Sequence, residues 1–253
     1  PQDAYDYKYH YDMANFSSEY DLQAGEEVKI ANIFTTQKTT ATKTERIHAV
    51  SVGFASMNTV YSLQLYKNPV GDNPESGTPL LDEPLQGVKI HRGFYTISLP
   101  QSIEVAKNDQ IAVVFTIKNR NRNHIASIEV SESFDGYNYQ TKEVTEPNQS
   151  FIKRANQNWK DMHEEQKVVR IQMLTNVDSE NTVGTKALKE SDMHLRDTLL
   201  TYSGECVEPM VIIDNDELKE MMHYGIRYEN NLNVGTGKVI VYGVNEYEGS
   251  SVE

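Results

Sequence analysis

Alternation of apolar and polar residues dominates the first 177 positions. Tyr5, Tyr7, Tyr9 and Tyr11 are separated by Asp6, Lys8 and His10, which places four rings on one face of an extended segment. Runs rich in β-branched and aromatic residues follow at 28–35, 47–55, 60–66, 93–99, 111–117, 125–130, 150–154 and 168–174, and each is predicted to be a strand. Turn-forming stretches lie between them, such as 68–74 (NPVGDNP) and 119–123 (NRNRN). Short strands punctuated in this way predict an all-β fold, a jelly-roll-like β-sandwich, and not alternating strands and helices.

The pattern changes after residue 177. Residues 178–190 (DSENTVGTKALKE) are polar and aperiodic, so they read as a linker. Four further strands are expected at 198–202, 209–213, 223–229 and 238–242, with 216–222 able to form a short helical turn instead. The Asn/Gly-rich segment 230–235 (NNLNVG) suits a hairpin connection that needs positive φ. The organisation expected is therefore a sandwich over 1–177, a linker over 178–190 and a small β repeat over 191–253. A unit of that size buries little area, so it is expected to lean on its neighbours.

Composition narrows the functional classes. The formal charge is -13, with 18 basic and 22 acidic residues up to 177 but 6 and 15 from 178 onward. An acidic chain lacks the electrostatic footprint for nucleic acid, whose binding rests on phosphate neutralisation. The chain begins at Pro1 and no apolar run approaches the ~18 residues needed to span a bilayer, so a segment of a larger protein is expected, with no membrane span. One cysteine, Cys206, rules out an internal disulfide.

Catalytic chemistry has little support. Cys206 stands in GECVE, between two carboxylates that would raise a thiol pKa, so it reads as a small, half-buried apolar residue. The seven histidines form no His-x-x-x-His pair, and there is no Gly-x-Ser-x-Gly elbow, Walker loop or dinucleotide fingerprint. Paired carboxylates for glycoside hydrolysis, or a Ser-His pair for an esterase, would have to meet in space without any motif. No enzyme is expected.

Binding chemistry is better represented. Saccharides are held by aromatic faces together with amides, carboxylates and Arg. Two loops have that mixture: Asp135, Tyr137 and Tyr139 within DGYNYQ, and Arg120 and Arg122 within NRNRN. The alternative for both is a solvated turn. Tyr5, Tyr7, Tyr9 and Tyr11 read first as an edge strand covering the core, and Trp159 as a core residue or a plug at one end of the sandwich. Residues 214–217 (DNDE) resemble a cation loop but lack the EF-hand spacing and glycine, which favours an acidic turn.

Two stretches resemble known families. The opening YHYDMANFSS, then ANIFTT, HAVSVGF, YSLQLYKN, GFYTISL, KNDQIAVVF, and finally QSFIKRANQNWKDM leading into VVRIQML, resemble in order the lectin-like domain of bacterial cell-surface proteins, which often sits beside a papain-type cysteine peptidase domain. Met13 stands where a glycine often follows the Tyr-Asp pair. The pieces LTYSGECVEPMV, YGIRYENNLNVGTGKVIVYG and NEYEGS resemble a small immunoglobulin-like repeat of Firmicutes surface proteins. The resemblance implies an extracellular, non-catalytic module at a bacterial surface that binds glycan or cell-wall polysaccharide, or scaffolds an adjacent peptidase domain, with the repeat as spacer. The alternative is a structural or protein-binding adhesin module without a sugar ligand. A structural Ca²⁺ is also implied, held by hard oxygen ligands where the first strand meets the late loops, with Asp12 and Asp161 as candidates.

Overall fold

Most of the predicted strands are present in a computed structural model of the chain, which describes residues 5–13, 17–121, 123–136, 140–178, 186–202, 207–220, 223–231 and 233–253. The chain opens with β1 (Tyr7–Tyr9), β2 (Ser17–Asp21), β3 (Val28–Thr35), β4 (Thr44–Phe54) and β5 (Thr59–Lys67). Next come β6 (Thr78–Pro79), β7 (Leu85–Lys89), β8 (Gly93–Val105), β9 (Gln110–Asn119) and β10 (Ser127–Glu132). A small hairpin of β11 (Phe134–Asp135) and β12 (Gln140–Thr141) precedes β13 (Ser150–Lys153), β14 (Lys160–Asp161), β15 (Lys167–Val169) and β16 (Ile171–Asp178).

These strands build two facing antiparallel sheets. The first has the order β1-β16-β4-β10-β15, with β2 added to β10 and β8 to β4; the second has the order β14-β13-β3-β9-β5-β6, with β7 also on β5. The fold is thus all-β, as the alternation predicts. Val50, Val52 and Phe54 of β4 turn inward against Ile30 and Phe34 of β3, Leu63 and Leu65 of β5, and Val113 and Phe115 of β9. Each such side chain, removed from water, contributes about 1.5–3 kcal/mol before entropy is charged against it. A second, smaller cluster lies on the outside of the second sheet, where Trp159 meets the Phe151 ring edge-on at 6.4 Å. Trp159 therefore covers a sheet face and does not plug an end.

Tyr9 and Tyr11 of the tyrosine row cover the core, while Tyr7 is 40% exposed. Tyr9 lies opposite Met173 of β16, and the Tyr9 and Tyr11 rings pack on Phe34. Tyr9 donates to buried Glu45 at 2.7 Å and Tyr11 to the Ile33 carbonyl at 2.5 Å. Glu45 also accepts from Thr175 Oγ1 and Lys38 N, so a carboxylate out of solvent has three donors.

Two irregularities interrupt the first sheet. His48 is an extra residue on β4, because Leu174 and Thr175 face Ala49 and Ile47 and skip it. The strand expected through 168–174 is divided at Arg170 into β15 and β16. Buried Asn32 of the opposite sheet explains that break: its Nδ2 donates across the core, at 3.1 Å each, to the carbonyls of Val169 and Ile171.

The last part of the chain is a separate small cluster of strands, β17 (Met193–Leu195), β18 (Val211–Ile213), β19 (Tyr224–Glu229), β20 (Lys238–Gly243) and β21 (Ser251–Val252). β17 pairs β18, while β19, β20 and β21 form a three-stranded sheet, and Leu188, Met193, Leu218, Tyr224 and Val241 fill the space between. Leu188, expected within a linker, belongs to that core. The connection from β19 to β20 has Asn230 at φ 55° and Gly235 at φ 150°, as its composition suggests. The strand expected at 198–202 does not form; Leu199 is 94% exposed, because β17 finds its partner in β18 beyond this segment. The helical turn considered for 216–222 lies partly outside the described residues; around it Leu218 N bonds the Asn215 carbonyl, His223 N bonds the Lys219 carbonyl, and Leu218 is anchored in the core.

This unit sits on the open side of the sandwich. β19 lies beside β7 and β20 beside β8, and β7 and β8 each have a sheet partner on one side only. The Tyr242 hydroxyl donates to the Ser98 carbonyl of β8 at 2.9 Å. Covering two strand edges in this way removes a template for unwanted pairing.

Candidate functional site

Inward alternation on one side of the first sheet dictates what its outer side carries. With Val50, Val52 and Phe54 inward, β4 turns Ser51 and Gly53 outward, and register places Gln172, Ser51 and Thr96 in one row. The next row holds Arg170, Gly53 and Phe94, since Gly53 N bonds the Arg170 carbonyl and Gly53 faces Phe94. Glu129 of β10 completes the patch, its carbonyl accepting from Arg170 N.

The side chains in these rows form a connected network. Arg170 Nη1 donates to Glu129 Oε2 at 2.5 Å, and Arg170 Nε lies 3.5 Å from Asp12 Oδ2. Asp12 also meets His10 Nδ1 at 3.0 Å and Gln172 Nε2 at 3.3 and 3.4 Å. The Ser51 and Thr96 hydroxyls are 2.9 Å apart. The guanidinium of Arg170 lies 5.1 Å from the centre of the Phe94 ring, and Phe94 remains 41% exposed. Burial pushes the Asp12 carboxyl up, but the His10 hydrogen bond and charge, with Arg170 and Gln172, hold it below its ordinary value.

Gly53 makes the network possible. A Cβ at this position would stand 2.7 Å from Glu129 Oε2 and 2.9 Å from Glu129 Cβ. Its absence lets Glu129 fold over β4 and reach Arg170. The result is an exposed ring, Phe94, beside half-buried Arg170 and Glu129, whose donors and acceptors are already fixed by one another, over the small residues Ser51 and Gly53, which are themselves buried. Such a surface can stack an apolar ring face and hydrogen-bond hydroxyls.

The residues selected from sequence fall elsewhere. Arg120 follows β9, half-buried, with its N–H on the Asn58 carbonyl. The asparagines around it serve their own turn: Asn119 Oδ1 accepts from Asn121 N, and Asn121 Oδ1 from Asn123 N. Asp135 is exposed in β11 and accepts from Gln140 Nε2 at 2.5 Å. Arg122, Tyr137, Tyr139 and Cys206 lie outside the described residues. The two loops open at opposite ends of β10, a strand about 20 Å long, so the structure does not bring Arg120 and Asp135 into one site.

Asp12 and Asp161 are not brought together either. Asp12 is committed to His10, Arg170 and Gln172 beside the first sheet. Asp161 belongs to the second sheet and caps a 3-10 turn at 162–165, accepting from His163 N at 2.9 Å and Asn148 N at 2.7 Å. As placed, the pair does not fit a shared Ca²⁺. Among the described residues no group of three or more His, Cys, Asp or Glu side chains could hold a metal ion.

Sequence reasoning missed Arg170, Gln172, Glu129 and Phe94. The signal was present in VVRIQML, where Arg170 and Gln172 alternate with apolar neighbours and so face outward.

Comparison with known proteins places the sandwich in context. No curated protein sequence matches the chain. Among solved structures, the clostridial cysteine protease Cwp84 after propeptide cleavage aligns with 70% of this chain and 41% of its own, at 18% identity and a TM-score of 0.54. The cysteine protease and lectin-like domains of Cwp84, a surface layer associated protein of Clostridium difficile, align with 63% of this chain and 36% of their own, at 19% identity and a TM-score of 0.48. The chain thus spans well under half the length of these proteins, and the likeness at this identity is one of fold. A model of the family described as "Lectin like domain" matches residues 8–189. The chain belongs to the lectin-like domain family.

Proposed function

We propose that this protein is a non-catalytic module of a bacterial surface protein that binds a glycan or cell-wall polysaccharide on the outer face of its first sheet. The observation that carries this reading is the exposed Phe94 ring set beside Arg170, Glu129, Asp12 and Gln172, whose polar atoms are already oriented by mutual hydrogen bonds. Preorganised donors and acceptors around a ring lower the ordering cost of a hydroxyl-rich ligand. The C-terminal unit acts as a spacer that also covers the β7 and β8 edges. Extracellular location and an adjoining cysteine peptidase domain in the parent chain are part of this reading; membership of the lectin-like family and the fold shared with Cwp84 support both.

A protein-contact role has one observation in its favour. Leu199, Leu200, Tyr202 and Met210 of the C-terminal unit are all exposed, and apolar surface of this kind suits a neighbouring protein. A glycan-array screen of the intact chain and of Phe94→Ala, each with and without EDTA, separates the two. Binding lost in Phe94→Ala supports the saccharide reading, and loss with EDTA assigns a cation to it. No binding under any condition removes that reading and leaves scaffolding.

A further inference from the structure

A second surface, which begins at Thr96 two residues along β8 from Phe94, has a different chemistry. Between β7 and β8 on one side and β19 and β20 on the other lies a cleft of about 1280 Å³, larger than the ~300–1,000 Å³ of ordinary small-molecule pockets. We propose that this cleft binds a saccharide carrying free amino groups, such as an amino-sugar polymer lacking its acetyl groups.

Charge is the first argument. Asp82, Glu83, Glu208 and Glu220 line the cleft, and none has a basic partner among the described residues. The basic groups on the walls are engaged: Arg227 pairs with Glu229 at 3.3 Å, and Lys89 lies 5.0 Å from the centre of the Tyr95 ring. Carboxylates of one sign facing each other across a cleft concentrate cations between them. The field of Glu208 is felt at Tyr61, Tyr95 and Tyr228, whose hydroxyl pKa values burial raises first and Glu208 raises further.

The second argument is independent of charge. Ser102 is 8% exposed, lines the cleft, and its Oγ has no hydrogen-bond partner among the described residues. Arg227, on the opposite wall, reaches Glu229 through Nη2, while its Nε is buried and without a partner among the described residues. Buried polar atoms are nearly always satisfied, and two unmet groups on facing walls match a ligand that brings hydroxyls. Tyr228, also on the cleft wall, has its hydroxyl fixed on the Pro209 carbonyl at 3.0 Å, which holds the ring in place for stacking.

The test compares a glucosamine oligomer, its N-acetylated counterpart and an oligolysine of similar length, titrated into the intact chain at mildly acid pH. The glucosamine oligomer is expected to bind at least about tenfold more tightly than the acetylated one, with affinity falling as salt rises. A chain with Asp82→Asn, Glu83→Gln, Glu208→Gln and Glu220→Gln should lose that preference, while Phe94→Ala should keep it, so this result stands or falls apart from the sheet-face reading. Equal binding of the two saccharides, unchanged binding by the four-fold variant, or binding of oligolysine alone would overturn the proposal.

Discussion

Asn32 lies directly beneath Arg170. From inside the sandwich its amide donates to the carbonyls on either side of Arg170, and on the outer face the Arg170 guanidinium reaches Glu129, Asp12 and the Phe94 ring. One buried amide thus fixes both the break between β15 and β16 and the direction of the cation on the candidate site. Replacing Asn32 by Ala leaves two buried carbonyls without donors, each worth about 1–3 kcal/mol. Asn32→Ala is expected to lower stability by an amount of that order in urea unfolding. In the folded fraction, saccharide affinity should fall as well, although Asn32 touches no ligand.

Gly53 tests the same network from the surface. Gly53→Ala puts a methyl group against Glu129, which must move away from Arg170. A cost of about 1–3 kcal/mol is expected from overpacking, together with weaker saccharide binding. A Gly53→Ala protein that melts and binds like the parent would show that Glu129 is not held in place.

His48 predicts an acid sensitivity. Burial first, then Arg46, lowers its pKa from an ordinary 6.5 to about 4. The unfolded chain therefore takes up a proton near pH 6.5 that the folded chain refuses until about pH 4. Stability falls across that window as pH falls, by up to about 3 kcal/mol, and levels off below it. Unfolding curves from neutral pH down to pH 4 should show this slope, and His48→Gln should flatten it.

Asp12 adds a second, lower window. Its folded-state pKa is depressed, so its contribution is present above the ordinary carboxylate value and is lost as pH falls through the depressed one. Asp12→Asn should reduce stability at neutral pH and remove the acid-side loss that follows His48's window.

The C-terminal unit depends on a close approach at Gly243, where a Cβ would collide with the Tyr247 carbonyl. Gly243→Ala is expected to disorder the turn that carries β21. Proteolysis should then cut within 244–253 while the sandwich remains resistant.

Much of the architecture was legible because burial imposes it. β3 is the predicted strand residue for residue, β5, β8 and β9 contain the predicted segments, and β4 starts three residues earlier than predicted and ends one residue short. β2 and β7 were missed because SSEYD and LQGVK are polar segments whose pairing comes from neighbours and not from their own alternation. The site was less legible. Arg120 and Asp135 had the right residue types, but the ends of β10 separate them, which composition does not encode. The contact of Asp12 with Arg170 is not legible in the sequence, because the break that turns Arg170 outward depends on Asn32, more than 130 positions away.

The central claim is that ligand hydroxyls and a ring face meet the outer side of the first sheet. Backbone NMR of the labelled chain, titrated with a saccharide that binds on the array, tests it most directly. The account predicts shift changes centred on Ser51, Gly53, Phe94, Thr96, Glu129, Arg170 and Gln172. Changes confined to the loops at either end of β10, with this sheet face silent, would contradict it.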